Sequence, residues 1–348
     1  MSLRASVAFL LLTFSPIFAQ TKTAEQQFKN IQVLKGVPAD QVFPTMQFIS
    51  ASLGVECEFC HVEGKFDSDD KGPKKTARAM ITMTMGINKN HFEGHKEVTC
   101  YSCHRGAEEP SGTPPVAGDD ARPARAEEKS VGNLPTPDQI LEKYVAAVGG
   151  LDAIHAVKSR VEKGKINAFG HESAIELYLK APDKRMSVSH TQSGESITAF
   201  DGKTGWLGGT GRPAREMAGS EIDAAKLDAE FYFPARVKEI FSRLRVRPGG
   251  KVGDAETYQL SGARDGQPPV RLYFDQNTGL LLRMVRYADT PVGRNPTQID
   301  YADYRDAGGV KIPYRWTLAR PGGRFTIQIE DVQSNAPIDD SKFSMPAK

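Results

Sequence analysis

Two five-residue words use every cysteine in the chain: Cys57-Glu58-Phe59-Cys60-His61 and Cys100-Tyr101-Ser102-Cys103-His104. In an exported chain, which the N-terminus indicates below, four cysteines ordinarily mean two disulfides. A disulfide has no need of a histidine after each pair. With 7 His in 348 residues, both pairs gain one by chance only about once in 2,500. A four-thiolate zinc site would also leave the histidines idle. A thioredoxin-like pair needs a single C-x-x-C near a βαβ pattern, which is missing here. Covalent haem attachment uses all five positions. The thiols of Cys57 and Cys60 add to the vinyl groups of one haem and those of Cys100 and Cys103 to a second. His61 and His104, on the same helical face as their cysteines, ligate the irons. The expected cofactor is two covalently bound c-type haems.

What fills the second axial position of each iron separates electron transfer from catalysis, because protein ligands on both sides leave no open site for substrate. The elements just upstream of each motif therefore matter. "FPTMQFISASLG" has the pattern of a short helix with Met46, Ile49 and Leu53 on its apolar face and Gly54 at its end. "KKTARAMITMTMGINKN" is a second helix, with Met80, Met83 and Met85. Methionines are also flexible core fillers, and at most one of these three can reach a given iron. Met46 has no competitor, since no other Met or His precedes the first motif after the leader.

Composition divides the rest. Residues 1–19 have a positive start at Arg4, an apolar run to Phe18 and a small residue at Ala19, the pattern of a cleaved export signal; the run is short for a membrane anchor. Residues 20–107 hold all four Cys, four of the seven His and four of the nine Met. Residues 108–131 are Pro, Ala, Gly and charge, a linker unable to bury a core. From 132 to 348 a single amphipathic helix (Ile140, Tyr144, Val148) precedes alternating runs such as Ile175/Leu177/Leu179, Val270/Leu272/Phe274 and Phe325/Ile327/Ile329. Turn signals at Asp201-Gly202, Asn277-Thr278-Gly279, Gly308-Gly309 and Pro321-Gly322-Gly323 separate them, and one helical insertion spans about 214 to 244. The expected fold is multidomain: a small, mostly α-helical dihaem domain, then an antiparallel sheet of eight or more strands, long enough to curl. With 45 basic against 43 acidic residues, nothing calls for nucleic acid.

The residues "M-x-F-x-x-x-S-L-G-V-x-C-x-x-C-H" at 46–61, and "A-R-x-M-x-x-M" with "V-T-C-Y-x-C-H-R-G" at 77–106, resemble the cytochrome c subunit of photosynthetic reaction centres. The resemblance covers roughly residues 28–110. It implies Met46 as the sixth ligand of the haem on Cys57, Cys60 and His61, and Met80 for the haem on Cys100, Cys103 and His104, with Met83 the runner-up. That family carries four such motifs and this chain two. The family also uses a histidine between its first two units to ligate a remote haem. His91 and His95 lie in that neighbourhood with no third or fourth motif to reach, and read as surface residues or alternatives to Met80. The C-terminal half resembles, by pattern more than by motif, periplasmic lipoprotein-sorting carriers, which implies an unclosed β-barrel with helices that shelters a lipid or quinone, or a docking module.

The reading that follows is a periplasmic, soluble or membrane-associated electron carrier. It serves redox partner proteins or a membrane electron-transfer complex and performs no bond chemistry. A dihaem peroxidase-like enzyme, or a lipid or quinone carrier with a haem unit attached, are the alternatives. His155, His171 and His190 stand at no ligand spacing.

Overall fold

The computed structural model describes residues 22–110, 112, 134–168, 170–264 and 266–346. The export signal expected over 1–19 lies outside them, as does nearly all of the linker expected over 108–131.

Residues 22–110 are helical: α1 (Ala24–Gln27), a 3-10 turn at Ala39–Gln41, α2 (Val42–Leu53), α3 (Cys57–Cys60), α4 (Gly72–His91) and α5 (Cys100–His104). α4 opens with a proline in its first turn, where no N–H is needed, and closes with Lys89, whose charge suits the C-terminal end of the helix dipole. α2 stops at Gly54, in the left-handed region at φ 68°. A Cβ there would lie 2.2 Å from the carbonyl oxygen of Gly106, so only glycine allows the end of α2 to touch the segment after the second motif. The Gly106 N–H donates to the Ser52 carbonyl at 2.8 Å, which fastens that approach.

The second part begins with α6 (Pro137–Ala147), capped by Thr136, whose hydroxyl accepts from the Gln139 N–H. Its apolar face, Ile140, Tyr144 and Val148, is buried as its spacing requires. After α7 (Leu151–Ala156) the chain runs outward as an antiparallel meander: β1 (Ser159–Ala168), β2 (His171–Lys180), β3 (Lys184–Thr191), β4 (Gly194–Phe200), β5 (Gly205–Gly209) and β6 (Arg212–Glu216). α8 (Gly219–Ala229) and α9 (Phe233–Ile240) carry it across to the far edge, β7 (Arg243–Val252). It then returns through β8 (Ala255–Ala263), β9 (Val270–Asp275), β10 (Leu281–Thr290), β11 (Gly293–Asp306), β12 (Lys311–Arg320) and β13 (Gly323–Ser334), which pairs with β1. The single sheet has the order β6-β5-β4-β3-β2-β1-β13-β12-β11-β10-β9-β8-β7, with β6 and β7 as its two unjoined edges. The expected insertion over 214–244 is thus two helices flanked by strand residues.

α8 touches β3, β4 and β5 and, through Arg286, also β10. One helix can reach both arms only if the sheet curls around it. A bulge in β13, where Glu330 is the extra residue opposite Lys163 and Gly164 of β1, helps that curl: a Cβ on Gly164 would lie 2.0 Å from the Gln328 carbonyl of β13. The main core fills the concave face with Leu177, Leu260, Leu272 and Phe274, all at 1 % exposure or less, under α6 and α9. The opposite face of β3 to β5 is closed by the C-terminal turn, where Phe343 is fully buried and its carbonyl accepts from Trp206 Nε1 at 2.8 Å.

The helical part seats on this sheet. Val292, in the β10–β11 turn, is fully buried in one cluster with Leu34, Ile49, Ile81 and Cys100. Asn295 Nδ2 donates to Gln47 Oε1 at 3.2 Å, and the carboxylate of Asp40 accepts from the Ser220 N–H at 3.0 Å. Asp40 therefore caps α8 from a distant part of the chain, supplying the acceptor that Ala218 at its N-terminus lacks.

Candidate functional site

The two motifs form two short helices, and each lies beside the long helix of the other unit: α5 against α2, and α3 against α4. Each long helix then has two faces. One packs inward, through Thr45, Ile49 and Ser52 on α2 and Lys74, Ile81, Thr84 and Asn88 on α4. The adjacent one is apolar and only partly covered: Phe43 on α2 and Met80 and Met83 on α4 are exposed, and Met46, Leu53 and Ile87 are half-buried. Of the nine large apolar side chains exposed among the described residues, eight lie between Phe28 and Tyr101. They include Phe43 at 65 % and Met80 at 39 %.

His104 is the last residue of α5, but His61 stands just beyond α3 in extended backbone (φ −116°, ψ 149°). The shared helical face expected for His61 and its cysteines is not formed, because the chain turns there into the loop that leads to α4. Both imidazoles are nevertheless held the same way. His61 Nδ1 lies 3.0 Å from the Phe66 carbonyl oxygen and His104 Nδ1 3.1 Å from that of Ala107. A carbonyl only accepts, so Nδ1 carries the proton and donates, and Nε2 keeps its lone pair free to ligate.

The loop under His61 is pinned by charge. Lys74 Nζ, nearly buried, donates to the carbonyls of Phe66 at 2.9 Å and Ser68 at 2.6 Å and lies 3.2 Å from Asp69. Asp69 also pairs with Arg78 at 2.9 Å and accepts from Asn30 at 3.0 Å. Hydrogen bonds from Arg78, Asn30 and Lys74 hold its carboxyl well below the usual carboxylate range.

All four cysteines are free thiols. Among the described residues no three His, Cys, Asp or Glu side chains converge as a metal cage. Burial pushes the Cys100 thiol up, opposite to the direction that activates the leading cysteine of a thiol-exchange pair.

Residues 9–142 match the family model of the photosynthetic reaction centre cytochrome C subunit. The photosynthetic reaction center cytochrome c subunit of Roseobacter denitrificans is 35% identical over 99 residues, 25% of this chain and 26% of its own length. Cytochrome c-554 of Chloroflexus aurantiacus is 34% identical over 85 residues, 22% of this chain and 20% of its own. The chain thus spans about a quarter of the length of the curated relatives it matches. The similarity supports a c-type cytochrome with covalently bound haem c. Among solved structures, a LolA superfamily protein from Nitrosomonas europaea aligns with 61% of this chain and 98% of its own, at 13% identity and a TM-score of 0.40.

The residues present fit such a group. Paired free thiols, a histidine with Nε2 free beside each pair, and open apolar faces on α2 and α4 are the surroundings a porphyrin requires. Met46 is half-buried and packs against the cluster that contains Cys100, while Met80, Met83 and Met85 are exposed along α4. His91 and His95 are exposed and at no motif.

Sequence reasoning missed a second constellation, inside the curl of the sheet. Arg160, Glu162, Arg185, Asp228, Arg286 and Arg320 line one cavity of about 420 Å³. Glu162 is 2 % exposed and Arg286 8 %. A signal was present in the alternation: Met284 and Arg286 are two apart on one strand, so a charge stands in an inward row.

Proposed function

We propose that the chain is a periplasmic dihaem c-type cytochrome that relays single electrons. The observation that carries this reading is the equivalent treatment of the two histidines: each follows a free C-x-x-C pair, and each has Nδ1 tied to a main-chain carbonyl. In attachment, each thiol would add its S–H across a vinyl double bond, sulfur to one carbon and hydrogen to the other, which needs no oxidant.

When bound, the haems supply reversible one-electron iron chemistry. Cys57 and Cys60 would hold one and Cys100 and Cys103 the other, with His61 and Met46 as iron ligands of the first and His104 and Met80 of the second. The tied Nδ1 orients each ring and raises its basicity as a ligand. Two protein ligands per iron suit transfer rather than bond chemistry, and methionine opposite histidine raises the potential relative to two histidines. Residues 20–107 act as the haem unit, 108–131 as its linker and 132–348 as the β module on which that unit seats. Electron donor and acceptor are redox proteins or a membrane-bound complex. No described helix is long and apolar enough to cross a membrane.

The test is expression with a c-type haem attachment system. The mass should rise by two haems that resist acid-acetone extraction, and a redox titration should resolve two one-electron components. One haem or none would overturn the dihaem reading. High-spin ferric iron with rapid cyanide binding at one haem would replace the carrier with a peroxidase-like enzyme.

A further inference from the structure

The outer side of the curled sheet is charged differently on its two arms. On β1 and β2 the outward lysines are matched: Lys163 lies 3.6 Å from Glu176 and Lys165 3.0 Å from Glu172. On β7 to β9, alternation turns Leu244, Val246, Leu260 and Leu272 toward the core and sends Arg243, Arg245, Arg247 and Arg271 outward, all four exposed. Among the described residues, Arg245 and Arg247 have no hydrogen bond or ion pair, and Arg271 has only the ring of Tyr287, 5.5 Å from its guanidinium. The carboxylate on this face of β9, Asp275, is engaged in its own turn, where Oδ1 accepts from the N–H groups of Asn277 and Thr278 at 2.6 and 3.0 Å. One strand further in, Arg283 is matched by Asp300.

The register puts Arg245 and Arg271 on either side of Ser261, about 10 Å apart, and Arg245 and Arg247 about 7 Å apart along their strand. These separations are comparable to the screening length of about 8 Å in physiological salt, so the charges repel one another. On β7 itself, arginines and Pro248 guard an open edge against pairing with another strand. That does not account for Arg271, which lies two strands inside the edge.

These four cations are all arginine, whose planar fork matches phosphate oxygens as an ammonium does not. Tyr273 on β9 and Tyr287 on β10 stand half-buried on the same outward rows, polar at the tip and apolar in the ring, as suits a lipid–water boundary. Three strands are about 10 Å across, narrow enough to lie against a plane despite the curl of the sheet. With a net charge of +2 the chain as a whole is not drawn to a polyanion such as nucleic acid, so the attraction is confined to this face. We propose that the outer face of β7 to β9 docks on an anionic phospholipid surface, with Arg245, Arg247 and Arg271 on the headgroup phosphates. Such a contact lies on the bilayer and needs no spanning segment. The inference is independent of the haem reading.

The experiment sediments the haem-loaded chain, as recovered after export, with phosphatidylcholine vesicles made with and without phosphatidylglycerol. Binding is expected to the anionic vesicles alone, and to be lost in about 1 M salt, where screening shortens to about 3 Å. Arg245→Gln, Arg247→Gln and Arg271→Gln should each weaken it about fivefold, the size expected of one basic side chain at an anionic surface. Lys163→Gln, on the same outer side but matched by Glu176, should leave it unchanged. Arg271→Lys should keep most of the binding, which separates loss of charge from a defect in folding. Equal sedimentation with both kinds of vesicle, or Gln variants that bind as wild type does, would overturn the proposal. So would tighter binding to polyglutamate than to the vesicles, which would assign the face to an acidic protein instead.

Discussion

Lys74 and His61 share one acceptor: the carbonyl oxygen of Phe66 takes the ammonium at 2.9 Å and the imidazole Nδ1 at 3.0 Å. Among the described residues the second motif has no counterpart, since the Ala107 carbonyl opposite His104 receives no side-chain cation from them. A carbonyl already polarised by an ammonium draws less on the imidazole proton, so His61 is a weaker electron donor through Nε2 than it would be alone. Lys74→Met is expected to lower one haem potential by about 20–60 mV, the one-electron equivalent of roughly 0.5–1.5 kcal/mol, and to leave the other in place. Spectroelectrochemical titration reads this directly, and two unchanged potentials would remove Lys74 from any tuning role.

Met46→Ala and Met80→Ala are each expected to lower a different potential and admit an exogenous ligand such as imidazole or cyanide at one iron. Met83→Ala should do neither. If Met83→Ala opens an iron and Met80→Ala does not, the ligand on α4 is one turn further along.

Val292 joins the sheet to the helical part, with no exposed surface. Val292→Ala removes two buried methyl groups and should cost about 2 kcal/mol of stability. Asp40→Ala removes the distant cap of α8 and should cost about 1 kcal/mol. Chemical denaturation measures both. A Val292 variant as stable as wild type would mean that the two parts unfold independently.

Glu162 gives a pH dependence whose sign follows from burial. Its folded-state pKa is raised above the ordinary 4.5, so the protonated form is favoured in the native state. The associated stabilisation is present below pH 4.5 and is lost as pH rises through the raised value. Glu162→Gln, which stays neutral, should therefore gain stability relative to wild type as pH climbs from 4 to about 8. Thermal melts of the two proteins across that range test it; a constant difference would show that Arg160 and Arg185 keep Glu162 ionised.

The haem motifs, the helices before them and the alternating strands were legible because each is a local pattern: a fixed spacing, a 3.6-residue period or a two-residue one. What escaped is long-range. β5 and β6, "GWLGG" and "RPARE", have no alternation and could not be counted from their own residues. Pairing of β1 with β13 joins segments at opposite ends of the β part. The arginines at 185 and 286 read as ordinary surface charges until the sheet curls and turns them toward its cavity. Lys74 escaped for a milder reason: it shares the buried row of Ile81 and Asn88, seven residues apart, where a lysine is unexpected.

The two thiols of the second motif do not stand alike. Cys100 is 9 % exposed, in the cluster it shares with Val292, while Cys103, one turn on, is exposed. Anything that bonds to both sulfurs therefore meets one at the surface and one already packed, and the outer thiol is the one open to first contact.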